Sequence, residues 1–267
     1  MTPEPPRPPG RRGVWVFLAA VTALVTLLPI GLQAWGRTLH RTRTSVQEHH
    51  RPIREVQVDA GEAEVTIGPG PADRVRVHQT LGYVLSDPRV RQSVAGDVLI
   101  VKFECDDSAL DLNDECEGQI DLRVPPGVGV RAAVSSGRIA VRDLHGPLRL
   151  QAASGLLEMA EVRGDVWAEA DSGMIKGTGL ASPELTARVD SGALRLAFTR
   201  PPRRVEAKSG SGPIRVTVPP GSYYRVDARS ESSDTRVDTA LHDPSSERYI
   251  RATSGSGPVR VLRGDLG

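Results

Sequence analysis

Lysine is nearly absent from this chain: Lys102, Lys176 and Lys208 are the only three in 267 residues. Aromatic residues make up 4%, which rules out a core built on stacked rings. Cysteine occurs only at Cys105 and Cys116, too few for a four-thiolate zinc site. The six histidines, His40, His49, His50, His78, His145 and His242, form no His-Glu-x-x-His arrangement and no Cys/His cluster, so the metalloprotease signature is missing. No phosphate-cradling Gly-x-x-x-x-Gly-Lys occurs. The formal net charge is +1, which gives no global case for a nucleic-acid partner. After residue 52 no window holds an i, i+3, i+4, i+7 apolar stripe for three turns, which argues against a helical domain.

What the chain does have is a repeat. A Ser-Gly pair returns with glycines at Gly137, Gly155, Gly173, Gly192 and Gly210, at steps of 18, 18, 19 and 18 residues. Each pair precedes a short apolar alternation, as in Ser136-Gly137-Arg138-Ile139-Ala140-Val141. There Ile139 and Val141 point one way, and Arg138, Ala140 and Arg142 the other. The segment 207–216 is copied 45 residues later at 252–261, with its own Gly255. Between them, Ser232-Ser233-Asp234-Thr235-Arg236-Val237 reads as a degenerate copy. A fixed period of this length marks a stacked repeat. The reading is an all-β fold, a β-solenoid of 18–19-residue coils with Ser-Gly at the corners. An antiparallel sandwich also fits short strands at this spacing, but the constant register favours the solenoid. The Ser-Gly pairs are structural: glycine supplies the turn and serine local hydrogen bonds. Ser209-Gly210-Ser211-Gly212 lacks the spacing of a nucleophile elbow.

The succession strand, Pro125-Pro126-Gly127, strand, Ser136-Gly137-x-Ile-x-Val, then Leu144, Gly146, Leu148, Leu150 and Ser154-Gly155 resembles the bacterial DUF4097 family of β-strand-repeat, adhesin-like proteins. The resemblance covers roughly residues 53–263. It implies a repeat fold and surface display, with no shared catalytic set to carry over. The N-terminal segment and the cysteine-bracketed acidic loop depart from a bare family domain.

Residues 1–13 read as a disordered tail rich in Pro and Arg. Residues 14–35 carry no charge, and at about 1.5 Å per residue they span a hydrocarbon core of roughly 30 Å. They read as a transmembrane helix rather than a cleaved signal peptide, whose apolar stretch is shorter. Residues 36–52 read as a basic juxtamembrane linker facing the membrane surface, and 53–263 as the repeat domain. Arginines flank both ends of the apolar stretch, so charge alone gives no orientation. A short tail ahead of one anchor favours an extracytoplasmic β domain in a bacterial cell membrane. In an oxidising compartment Cys105 and Cys116 are a disulfide candidate. The intervening loop carries several carboxylates and reads as a solvated hairpin tip, with Ca²⁺ binding as the alternative.

For function, the residues point to a non-enzymatic, membrane-anchored binding or scaffold module of the cell envelope, with no cofactor. Its partner is a protein or glycan, and outward residues such as Arg138, Glu158, Lys176 and Arg195 form ladders, with Arg215 and Arg260 forming another. The rivals are a cytoplasm-facing envelope-stress accessory and a carbohydrate-active β-helix enzyme. Asp171 and Asp190 recur before their Ser-Gly pairs, but Ala153, Lys208 and Thr253 at the matching positions speak for a corner preference. His145 beside Gly146 reads as a turn residue.

Overall fold

In a computed structural model of the chain, the described residues are 17, 21–24, 41–83, 88–105 and 117–264. The chain divides into two units, Met1–Arg41 and Thr42–Gly267. In the first, residues 17 and 21–24 are helical. The tail 1–13 and the rest of 14–35 lie outside the described residues. Among the described residues no helix is long and apolar enough to cross a membrane.

The second unit is all-β. Its N-terminal strands are β1 (Arg41–His49), β2 (Glu55–Asp59), β3 (Glu64–Pro69), β4 (Val75–Tyr83), β5 (Arg89–Ala95), β6 (Val98–Glu104) and β7 (Glu117–Val124). Four long strands follow: β8 (Gly129–Arg142), β9 (Leu148–Ala160), β10 (Val166–Leu180) and β11 (Glu184–Phe198). The C-terminal strands are β12 (Arg204–Ser211), β13 (Ile214–Val218), β14 (Arg225–Ser230), β15 (Thr235–Val237), β16 (Tyr249–Ser256) and β17 (Val259–Arg263).

Each long strand is bent at its Ser-Gly pair, and the bend shifts the alternation by one residue. In β9, Leu148, Leu150 and Ala152 are buried before the corner, and Leu157 and Met159 after it. The two halves therefore belong to two faces that share one core. Neighbouring coils pair parallel and in register: Leu150 aligns with Ala132 and Ala168, and Leu157 with Ile139 and Ile175. Parallel register across β8 to β11 is the solenoid arrangement and not the antiparallel sandwich. The inward side chains, from Val56 to Val261, form one continuous cluster. Ala140 occupies an outward register position opposite Glu158, yet is only 6% exposed.

The corners need glycine for two reasons. Gly173 has φ +121°, a region L side chains rarely adopt, and a Cβ there would collide with the carbonyl oxygen of Gly155 one coil back. The same collision recurs at Gly155, Gly192, Gly212 and Gly257, each against the corner glycine of the coil before it, and all six corners, Gly137 included, have positive φ. The fifth and sixth corners are thus Gly212 and Gly257, not the expected Gly210 and Gly255. Ser191 aligns with Ser211, and Ser211 with Ser256. The fourth step is 20 residues: from Leu196 to Val205 the chain advances nine residues, where the aligned stretches Met159 to Val166 and Gly177 to Leu185 advance seven and eight. Ser-Gly-Ser-Gly offers two frames, and the constant period selects the wrong one.

Stacking order departs from chain order at both ends. β2 lies between β6 and β8, and β3 between β7 and β8, so the second coil formed is the outer one. At the other end, β16 lies between β12 and β14, and β17 between β13 and β15. The two near-identical segments at 207–216 and 252–261 are therefore direct neighbours. The degenerate copy at 232–237 is not between them but belongs to the terminal coil. The N-terminal end is finished differently, by antiparallel pairing of β4 on β7 and β5 on β6.

β1 corrects the linker reading of 36–52 over Arg41–His49, while 36–40 lie outside the described residues. It pairs with β4, although RTRTSVQEH has no apolar alternation to announce it. Polar contacts hold it: Gln79 Nε2 donates to Ser45 Oγ at 2.8 Å, and Arg76 Nε donates to Glu48 Oε1 at 2.7 Å. That bond, with Arg74 nearby, holds the Glu48 carboxyl below the usual carboxylate range.

Candidate functional site

Pairing in register turns one outward position per coil into a straight row. On the face after the corners, Ala140 aligns with Glu158, and Glu158 with Lys176. Lys176 aligns with Arg195, Arg195 with Arg215, Arg215 with Arg260, and Arg260 with Arg236. Five successive coils thus present five cations at one position, every one exposed. Rungs of a sheet stand about 4.8 Å apart, so the row is roughly 19 Å long. The expected ladders at Lys176 and Arg195 and at Arg215 and Arg260 are one ladder. Arg138 stands outside it, in register with Leu156 and beside Glu64 at 3.5 Å.

The charge in this row is uncompensated over most of its length. Lys176 Nζ lies 3.4 Å from Glu158 Oε1. Among the described residues no ion pair reaches Arg195, Arg215, Arg236 or Arg260. On one side the neighbouring outward residues are Met174, Ala193, Pro213 and Pro258; on the other, Thr178, Ala197, Thr217 and Leu262. Carboxylates return only at the terminal coil, where Asp238 faces Arg263 at 3.7 Å. The other face mixes signs: Arg131 pairs with Glu55 at 3.2 Å, and Arg229 with Asp227 at 2.8 Å. It also stacks cations on rings, with Arg149 4.1 Å over Trp167. Arg251 Nε donates to Tyr249 Oη at 2.9 Å, a bond that holds its guanidinium proton still more firmly.

A second row runs inside. Val134, Ala152, Ala170, Val189, Ser209, Ser254 and Ser230 share one register position. Its three serines each donate to the corner glycine one coil back: Ser209 to Gly192 O at 3.2 Å, Ser254 to Gly212 O at 2.9 Å, and Ser230 to Gly257 O at 2.9 Å. The serine role expected at the corners thus falls, in the last three coils of the stack, to this inward serine, which at Ser209 and Ser254 stands two residues before the corner pair.

Other singled-out residues are dispersed. Asp171 and Asp190 align and are exposed; Gly210 occupies the matching place, while Lys208 and Thr253 align with Arg188. His145 lies in the turn, 3.7 Å from Asp143. Cys105 follows β6, half-buried against the core and disulfide-bonded; Cys116 lies outside the described residues, as does the acidic segment 106–116. That segment joins β6 to β7, the two halves of one coil, where the long strands carry a Ser-Gly corner. Among the described residues no group of His, Cys, Asp or Glu is arranged to hold a metal ion. Sequence reading missed Arg236 as a rung. The available signal was the triplet of apolar residue, cation and apolar residue shared by Leu194-Arg195-Leu196, Ile214-Arg215-Val216 and Val259-Arg260-Val261, which Thr235-Arg236-Val237 keeps only in part.

Comparison with solved structures finds similar folds at low identity. A protein from Clostridium sporogenes described as a candidate cell adhesion protein is 9% identical, with 84% of this chain and 100% of that chain covered and a TM-score of 0.35. A candidate adhesin from Bacteroides fragilis is 11% identical, with 83% and 97% covered and a TM-score of 0.32. A candidate lipid binding protein from Parabacteroides distasonis is 12% identical, with 84% and 97% covered and a TM-score of 0.27. Comparison with curated proteins gives no match. The sequence pattern of the family described as Toastrack DUF4097 matches residues 92–262, more than half of the chain, and the chain belongs to that family.

Proposed function

We propose that this chain is a non-enzymatic binding module of the bacterial cell envelope, held by an anchor at residues 14–35 with its strand stack on the outer side of the membrane. The observation that carries the reading is the exposed row Lys176, Arg195, Arg215, Arg260 and Arg236. A repeat stack offers an extended, preformed face whose outward residues vary without cost to the core. A run of like charge on such a face opposes its own close spacing, and an anionic partner relieves that opposition. The uncharged length of residues 14–35 supports the anchor, and the disulfide at Cys105 supports an oxidising compartment.

Two measurements test this. A C-terminal reporter enzyme that works only outside the cytoplasm gives activity if the stack is displayed outward; activity confined to a cytoplasmic reporter contradicts it. The full chain in detergent micelles co-sediments with isolated cell-wall material; no co-sedimentation at low salt contradicts the binding reading.

A further inference from the structure

We propose that the row from Lys176 to Arg236 is a binding track for a linear polyanion, a chain carrying phosphate or carboxylate groups along its length that lies parallel to the stack axis. This rests on the binding-module reading and names the ligand class for it.

The row is one residue wide and five rungs long, with no internal carboxylate on four of its five members. From Arg195 to Arg260 its flanks are short or uncharged, Ala193, Pro213 and Pro258 on one side and Ala197, Thr217 and Leu262 on the other; at Arg236 the same two rows carry Asp234 and Asp238. The guanidinium groups are therefore the salient feature of that face. Arginine presents a planar fork that receives phosphate or carboxylate oxygens two at a time. A single small anion engages one or two rungs, whereas a chain of anions engages all five and releases its counterions along the whole row. A planar anionic surface suits cations spread in two dimensions. Here the rows on either side add no cation beside the track and hold apolar or hydroxyl side chains as far as Arg260, so the geometry favours a chain over a plane. The row is polar along its axis as well, because Glu158 closes it at the Lys176 end.

The test is isothermal titration of the full chain in detergent micelles with linear polyphosphate and with polygalacturonate, against orthophosphate, neutral dextran and anionic lipid vesicles. Both polymers are expected to bind at least tenfold more tightly than orthophosphate, and dextran not at all. Replacing Arg195, Arg215 and Arg260 with Gln should weaken polymer binding at least tenfold. It should also reduce the slope of log K against log salt by about 2. An equal-charge control, Arg131, Arg149 and Arg204 to Gln on the other face, should leave both nearly unchanged. All six arginines are exposed, and unchanged circular dichroism of each variant checks the fold. The inference is overturned if the control weakens binding as much, if orthophosphate matches the polymers, or if vesicles bind more tightly than the polymers with the same dependence on the row. If the triple variant still co-sediments with cell-wall material as wild type does, the track fails while the binding-module reading stands. If wild type does not co-sediment, that reading fails first.

Discussion

Ser254 Oγ donates a 2.9 Å hydrogen bond to Gly212 O, the corner carbonyl of the adjacent coil, 42 residues earlier in the chain. The bond links the inward serine row to the glycine ladder. It also depends on β16 lying beside β12, with the terminal coil stacked outside it. Ser254→Ala should lower stability by about 1 kcal/mol, the usual net value of a buried hydrogen bond. A urea titration of the full chain reads this as a lower midpoint with unchanged slope; an unchanged midpoint would place Ser254 elsewhere.

Glycine at the corners is a matter of space as much as of φ. Gly173→Ala places a Cβ against Gly155 O at φ +121°, and should cost at least about 3 kcal/mol from strain and overpacking together. Gly127→Ala has nothing within 4 Å of its Cβ, and should stay within about 0.5 kcal/mol of wild type. Thermal melting of the pair separates a packing requirement from a general dislike of substitution.

Tyr224 is fully buried, and among the described residues its hydroxyl has no hydrogen-bond partner. The nearby Ser222 hydroxyl donates instead to Pro219 O at 2.6 Å. Burial pushes the Tyr224 hydroxyl above its ordinary pKa. The folded state then holds that proton more tightly than the unfolded chain does. Stability from this group is complete below the ordinary tyrosine value of about 10 and is lost as pH rises from there through the raised value of the folded state. Tyr224→Phe should match or exceed wild-type stability at neutral pH by up to about 1 kcal/mol. Its advantage should grow above pH ~10, as denaturant midpoints across that range would reveal; a constant difference would contradict the assignment.

The cation row bears on stability too. Unit charges about 5 Å apart in water repel by roughly 0.8 kcal/mol. Arg215→Gln, which removes the central rung, should therefore raise stability by a few tenths of a kcal/mol at low ionic strength. Salt should erase the gain, since screening shortens to about 3 Å at 1 M. A loss of stability at low salt would mean that Arg215 has a partner.

Cys105 is disulfide-bonded, and Cys116 is the other cysteine in the chain. Thiol titration of the denatured, unreduced chain should find no free thiol, and reduction should release two. Reduction should also cost about 2–3 kcal/mol by loop entropy. One free thiol per chain would show that the bond joins two molecules.

The parts of the fold legible in the sequence are those with local periodicity. Ile139, Val141, Leu148, Leu150, Leu157, Met159, Val166 and Ala168 are all buried, as alternation and the Ser-Gly period require. Coil order was not legible, because parallel neighbours 45 residues apart leave no local signal. The Gly210 frame failed because one 20-residue coil broke the period that selected it. β1 was hidden because an edge strand held by Ser45 and Glu48 needs no apolar alternation. The rungs Lys176, Arg195, Arg215 and Arg260 were visible singly; that they share one row with Arg236 depends on stacking order.

Cysteine cross-linking tests that row most directly. Directly aligned residues in adjacent strands stand within disulfide reach, and residues two strands apart do not. Arg215→Cys combined with Arg260→Cys should cross-link on mild oxidation, as should Arg260→Cys with Arg236→Cys, while Arg215→Cys with Arg236→Cys should not. Peptide mapping that instead found the 215–236 cross-link, and no 215–260 cross-link, would restore chain order to the stack and dissolve the row.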